Sequence, residues 1–510
     1  MTKPRGGVAV LDLNPPATDW RAWGGMAITI FALLVLKRVL YHVLTDNEAV
    51  TLPWAFQSVD KGWLPSDWFL NTPIGNQLIT ATFIGYLIKW LGFLRASLVA
   101  RIFAYTLIAA SLTRLLRKLS IPTTYAIIAL AIFISYKQSI AAGESIIGPV
   151  ESKVFAYVCI FFALPYLLDR KYGRACALVG VATSIHFLVG GYAFLATLLF
   201  LVYDRATLRV ALTASAIWFV CAGVGLYHVT VELMATFDAQ NVSHIIVYLR
   251  HPHHLLPSHW HWSKWVKLAM LCAAWAVAYR GARRSEPTKR LLIFTAFTMV
   301  PFFFGVAIAP FDHNGTFLRL YMFRLGDTLF PLFILICLYH ALLVVPVSQR
   351  MLQKSLLVTA SLVMVYTGLH FGYKLAQFTG SPSDDAPWVE ACTWLRQETP
   401  RDAIVLAPPG KESFTLLARR ACVSQFKFFP FTESAVGEWY QRLLDVSGGS
   451  APTNVGFAIP HEVNEKFYDL PDSYLRELMA KYHATYVLTT CTADRDLQRV
   501  YSNGTYCVYD

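Results

Sequence analysis

The chain has 510 residues with a mean hydropathy of +0.45; 55% are hydrophobic, 15% are charged, and its apolar residues gather into runs of the length that crosses a hydrocarbon layer of roughly 30 Å. The formal net charge of +12 is unevenly divided: residues 1–372 hold 31 Lys and Arg against 15 Asp and Glu, and the remainder holds 13 against 17. Basic residues lying between apolar spans, rather than on one solvated face, argue against a nucleic-acid binder. Without the alternating pattern of barrel strands, the apolar runs must be helices, since only then does each backbone group find its partner within its own segment.

Lys3, Arg5 and Arg21 precede a span over about 23–44 that no small-residue cleavage site follows, which reads as an uncleaved signal anchor with a cytoplasmic N-terminus. An outer loop over about 45–97 follows, carrying Asp46, Glu48, Asp60 and Asp67 among Trp54, Trp63 and Trp68. Carboxylates at a membrane boundary are either solvated or hold a metal, a cation or a reacting hydroxyl. The two-residue spacing of Asp46 and Glu48 suits a turn that points both at one site. Residues 76–94 are amphipathic. Were they to cross, the next helix would deliver Arg114, Arg117 and Lys118 to the outside, so they are placed in the interface.

Spans then run over 97–116 inward, 123–136 outward and 154–168 inward. Residues 176–202 are broken at 186–191 between cytoplasmic flanks and read as a hairpin of two short helices. Further spans cover 210–233, 265–279, 291–309, 317–345 and 356–371. The fold class is therefore mainly α: a polytopic helical membrane protein of about eleven transmembrane helices over residues 1–372, with a small extracytoplasmic α/β domain over 373–510. The cell inner, or plasma, membrane is the expected location.

The outer segments carry the other candidates. Glu144, Glu151 and Lys153 lie before and at the start of the 154–168 span, where a Glu and a Lys serve as cap and anchor or face a phosphate. Arg250, His251, His253 and His254, with His259 and His261, place five histidines in eleven residues. They match no regular zinc spacing and have no cysteine nearby, which suits structural or phosphate-contacting roles. Asp312 and His313 precede Arg319, Arg324 and Asp327, charges that one intrahelical pair does not satisfy. They either bridge helices or meet a ligand phosphate.

In the tail, the pattern predicts a helix over 388–397, a strand over 403–406, helices over 438–444 and 473–482, a strand over 486–489 and a hairpin over 500–509 around Asn503-Gly504. Arg419, Arg420 and Lys427, near Phe426, Phe428 and Phe429, read as a solvated basic face. Cys392, Cys422, Cys491 and Cys507 allow two disulfides in three pairings, or free thiols. The chain lacks a phosphate-binding Gly-rich loop, a dinucleotide fingerprint, a Gly-x-Ser-x-Gly elbow and a His-Glu-x-x-His helix, which argues against ATP-driven transport and serine hydrolase chemistry.

An acidic motif after the first span (Asp46, Glu48), an interfacial helix in the first outer loop, a second span ending at Arg114, Arg117 and Lys118, a short hairpin around His186 and an outer tail domain together resemble the glycosyltransferase C superfamily. These are integral membrane enzymes that move a sugar from a polyprenyl-phosphate carrier to an acceptor outside the cytoplasm. The resemblance implies Asp46 as general base in an inverting transfer, with Glu48 orienting the acceptor or joining Asp46 at a divalent cation, Mg or Mn. It implies cationic or hydrogen-bonding groups around the lipid phosphate: Lys153, Arg250, His253, His254 and Arg324, with Glu151, His251 and Arg319 in the same segments and His186 lining the lipid entry. The expected partners are the polyprenyl-phosphate-linked sugar, an extracytoplasmic acceptor and the bilayer. Two other readings stay open: a transporter or flippase for a lipid-linked anion using Arg319, Arg324 and Asp327, and a non-catalytic subunit of cell-envelope assembly.

Overall fold

The computed structural model describes residues 20–234, 239–382, 384–491 and 495–510; Lys3 and Arg5 lie outside the described residues. The first helix, Trp20–Arg38, stops earlier than the apolar run does. The carbonyls of Arg38, Val39, Tyr41 and His42, freed by that stop, accept hydrogen bonds from the buried guanidinium of Arg101. A helix not foreseen in the first outer loop, Asn47–Val59, follows immediately.

Residues 78–118 form one helical run broken at Gly92, whose φ of 76° and ψ of 169° are non-helical. The part before the break is amphipathic: Leu78, Ile79, Phe83, Tyr86 and Trp90 are exposed while Ile84 and Ile88 are buried. Its inner face lies against Asn47–Val59 at Gly85, where an added Cβ would come 2.2 Å from the Ala55 carbonyl oxygen. Gly85→Ala is accordingly expected to push the two helices apart at a cost of about 1–3 kcal/mol. A lowered unfolding midpoint in detergent checks this, and an unchanged midpoint refutes the close contact.

Among the described residues, four helices are long and apolar enough to cross a membrane: Leu78–Lys118, Glu286–Ile308, Arg324–Leu342 and Gln349–Ala376. The pair Leu208–Cys221 and Gly223–Val231 makes a fifth if its 67° bend is allowed within one span. Thr123–Ser135, Ser152–Leu168 and Phe187–Tyr203 are apolar but shorter. The expected eleven counted apolar runs, and several of those runs are broken. The expected span over 210–233 is bent, and its second half packs on the residues before His186: a Cβ on Gly225 would lie 2.4 Å from the Thr183 carbonyl oxygen. The 317–345 run becomes a helix only at Arg324, since Tyr321 is left-handed with a φ of 52°. The hairpin consists of Tyr172–Ile185 and Phe187–Tyr203, parted at His186. Apolar side chains from most of these helices form one large core.

The tail is built on five strands: β1 Ile404–Leu406, β2 Ala421–Cys422, β3 Tyr486–Thr490, β4 Arg499–Ser502 and β5 Tyr506–Tyr509. Their order is β2-β1-β3-β5-β4, parallel among the first three and antiparallel for the rest. Strand alternation sends Val405, Leu488 and Val508 to one face under the helix Ala386–Glu398. Leu406, Val487 and Cys507 go to the other, under Asp472–Tyr482. The expected hairpin turns at Gly504, with a φ of 85°. Cys491 and Cys507 form a disulfide, while Cys392 and Cys422 are buried free thiols.

Residues 407–433 of the tail dock onto the first outer loop and do not present the solvated basic face expected of them. Arg420 is buried on the Thr399 hydroxyl and backbone carbonyls, and Phe428 packs against Phe69. Asp67 of the loop accepts the amide hydrogen of Cys422 at 3.1 Å.

Candidate functional site

Asp46 precedes the helix Asn47–Val59, but its side chain makes no capping bond. His42, Leu44 and Asp46 all have positive φ, at 50°, 60° and 53°. Such residues persist only where surrounding contacts over-determine them. Here the contacts centre on Glu48. Its carboxylate, fully buried, meets Arg101 at 2.6 Å and accepts from Leu44 N at 3.0 Å, Ser97 Oγ at 2.8 Å and Val150 N at 2.9 Å. Glu48 therefore fixes the backbone beneath Asp46, and its carboxylate has no free face for an acceptor.

The Asp46 carboxylate stays 43% exposed and pairs with Lys427, which also meets Glu412 at 3.3 Å. The amide of Asp46 donates to Glu412 at 2.8 Å. Burial alone would raise its pKa, but Lys427, aided by His42 and Lys153, draws it below the ordinary carboxylate value. This arrangement does not fit a divalent cation shared by Asp46 and Glu48, because the Glu48 carboxylate is buried and fully used by Arg101 and its other donors. Among the described residues no three His, Cys, Asp or Glu side chains gather as a ligand set.

From Asp46 the cluster continues through its neighbour. Asn47 donates to Glu151 at 3.1 Å, and Glu151 pairs with Lys153 at 3.1 Å. Lys153 also meets Glu144 at 3.2 Å, and Glu144 receives Arg324 at 2.9 Å. Arg324 in turn donates to His186 at 3.1 Å. Burial pushes the Glu144 carboxyl up, but Arg324 and Lys153 outweigh it and hold the group well below the usual range. Asp327 accepts the amides of Ile140, Ala141 and Ala142 at 2.7–3.1 Å and so shapes the loop that carries Glu144.

His251 pairs with the Tyr321 hydroxyl at 3.1 Å, and the His254 ring donates to the Ala142 carbonyl. Burial and adjacent cations depress all three histidines, His253 to about 3, His254 to about 4 and His251 well below its ordinary value. They are neutral near pH 7, so they offer hydrogen bonds rather than charge. His259 and His261 are exposed on the surface.

Four cations (Lys153, Arg250, Arg324, Lys427) share this region with four carboxylates (Asp46, Glu144, Glu151, Glu412), yet Arg250 stands apart. It is 5% exposed, lies 4.2 Å over the Phe426 ring, and its Nε is buried with no hydrogen-bond partner. Burial lowers it to about 10, which still leaves it charged at neutral pH. No ion pair holds it among the described residues. Glu412 is the carboxylate that bears on this desolvated guanidinium, whose stacking on rings leaves hydrogen-bonding capacity suited to an anion.

Asp46, Glu151, Lys153, His186, Arg250, His251, His253, His254 and Arg324 thus gather in one region. Arg319 does not: it precedes the helical break at Tyr321 and pairs with Glu433 at 2.7 Å, tying down the tail helix Glu433–Asp445. Sequence reasoning missed Arg101, Glu412 and Tyr321. A lone arginine inside an apolar run could have flagged Arg101; nothing local marks Glu412.

Residues 386–446 match a family described as a domain of unknown function (DUF6798). No curated protein matches the sequence. The fold is similar to that of ArnT from Cupriavidus metallidurans, whose crystal structure holds undecaprenyl phosphate. The TM-score is 0.50 at 12% identity, over 97% of this chain and 98% of that one. The likeness extends over nearly the whole chain and is one of fold.

Proposed function

We propose that this chain, with a fold like that of a lipid-linked sugar transferase, moves a sugar from a polyprenyl-phosphate carrier to an acceptor outside the cytoplasm. The observation that carries the reading is the convergence of a half-exposed carboxylate, Asp46, with the buried and unpaired Arg250. Arg250 stacks on Phe426, whose neighbour Lys427 holds Asp46. In this reading the acceptor hydroxyl displaces Lys427 from Asp46 and gives the carboxylate its proton as the oxygen attacks the anomeric carbon. The bond from that carbon to the phosphate oxygen breaks from the opposite face, so configuration inverts. The electron pair leaves on the polyprenyl phosphate. Arg250 neutralises the leaving phosphate, Lys153 and Arg324 stand within the same charge network, and the neutral His251, His253 and His254 supply hydrogen bonds. That ArnT was crystallised with undecaprenyl phosphate supports a donor of this class. The disulfide Cys491–Cys507 suits a tail in an oxidising compartment.

Arg250→Gln is expected to lower kcat/KM for a polyprenyl-phosphate sugar in proteoliposomes by about 10²-fold, the typical loss of one charge-stabilising group. Transfer at the unmutated rate by folded Arg250→Gln protein would remove the phosphate from this site. The transporter reading gains nothing from the geometry, because its charges line no common path: Arg319 pairs with Glu433, while Arg324 and Asp327 are both used to hold the loop at Glu144.

A further inference from the structure

An opening lies beside the break at Gly92, where the amphipathic stretch ends and the second part of the helix begins. It is a cavity of about 330 Å³ walled by the break, the linker after the last long apolar helix, and the tail. No acidic residue lines it, whereas Arg95, Arg396 and Arg419 all do. Arg419 is fixed in a left-handed conformation at φ 49°, and its Nε is buried without a hydrogen-bond partner. The charge that bears on it is another cation, Arg396. The remaining wall is largely apolar and includes Leu94 and Leu416. The linker is pressed into place there: Gly380 has a φ of 72°, and a Cβ on it would come 3.0 Å from Leu94 Cδ2.

The height of this cavity is set by its walls. One wall is the junction between an interfacial segment, which exposes Tyr86 and Trp90, and a helix long enough to cross. Another is the segment a few residues beyond the helix Gln349–Ala376. Three guanidinium groups and several leucines around one cavity complement a phosphate with carbon chains attached.

We propose that this cavity binds the phosphate of an anionic amphiphile, with the head on Arg95, Arg396 and Arg419 and the first apolar carbons against Leu94 and Leu416. Leu44, in the turn that carries Asp46, also lines the cavity, but binding there does not depend on the transfer reaction.

The test uses the full chain in nanodiscs of phosphatidylcholine with phosphatidylglycerol as the minor lipid, and reads retained lipid by native mass spectrometry. Unmutated protein is expected to retain phosphatidylglycerol in preference to phosphatidylcholine. The triple variant R95Q/R396Q/R419Q should lose that preference by about fivefold for each charge removed, and the triple Arg→Lys variant should keep most of it. Displacement of phosphatidylglycerol by inorganic phosphate identifies a head-only ligand, as a soluble phosphate would be; retention against it identifies a membrane lipid. Equal retention by the Gln variant, or no lipid preference in the unmutated protein, overturns the proposal. If the triple variant fails to fold, the exposed Arg396→Gln change alone gives the same reading. Binding is read without turnover, so failure here and failure of the transferase reading are distinguishable.

Discussion

Asp46→Asn is expected to lower sugar transfer by about 10²- to 10⁴-fold, the span associated with loss of a general base, while barely moving the unfolding midpoint. The two halves of this expectation come from one geometry. The carboxylate is 43% exposed and its partner is a lysine at the rim, so the pair contributes at most about 1 kcal/mol to stability. The backbone under it is held by Glu48 and Arg101 instead. A companion variant, Lys427→Met, removes the main group that lowers the Asp46 pKa. The base must be ionised to act, so activity is lost as pH falls through its pKa. With Lys427 gone that pKa rises, and the acid limb of the pH–rate profile should move to higher pH. Turnover by the Asn variant at the original rate, or an acid limb unmoved in Lys427→Met, would separate Asp46 from the chemistry.

Glu48→Gln should do the opposite, unfolding the protein before its chemistry can be measured. The change strands the Arg101 charge in a fully buried setting, and breaking a buried pair from one side costs about 3–5 kcal/mol. The amide also puts a donor where the carboxylate accepted from Leu44, Ser97 and Val150. A sharply reduced folded yield and midpoint in detergent are expected, with partial recovery in Glu48→Gln/Arg101→Met, where no charge remains. A single Gln variant as stable as the unmutated protein would show that the latch is not needed.

The contrast between these neighbouring acids marks how far the sequence could be read. Apolar run length and local patterning gave the helical class, the amphipathic character of the segment before Gly92, the break at His186 and most of the tail elements, because each is decided locally. Asp46 stood out as a carboxylate just past an apolar run. Glu48 looked equivalent because a turn was assumed there; the helix Asn47–Val59 instead rotates it inward toward Arg101. Arg319 and Arg324 looked like members of one helix, and Tyr321 parts them. The partners of Asp46 were out of reach: Lys427 lies 381 residues away and Glu412 meets the Asp46 amide across 366. No periodicity or motif links such positions, and only the docking of 407–433 brings them together.

That docking places the main control of the acid's strength on another part of the chain. Lys427 sits on a lobe with a sheet of its own, while the carboxylate it tunes hangs from the helical bundle. A shift of the lobe that strips Asp46 of its counterion would also unstack Phe431 from Trp54 and Phe428 from Phe69. The lobe thus carries the main group that sets how readily Asp46 holds a proton.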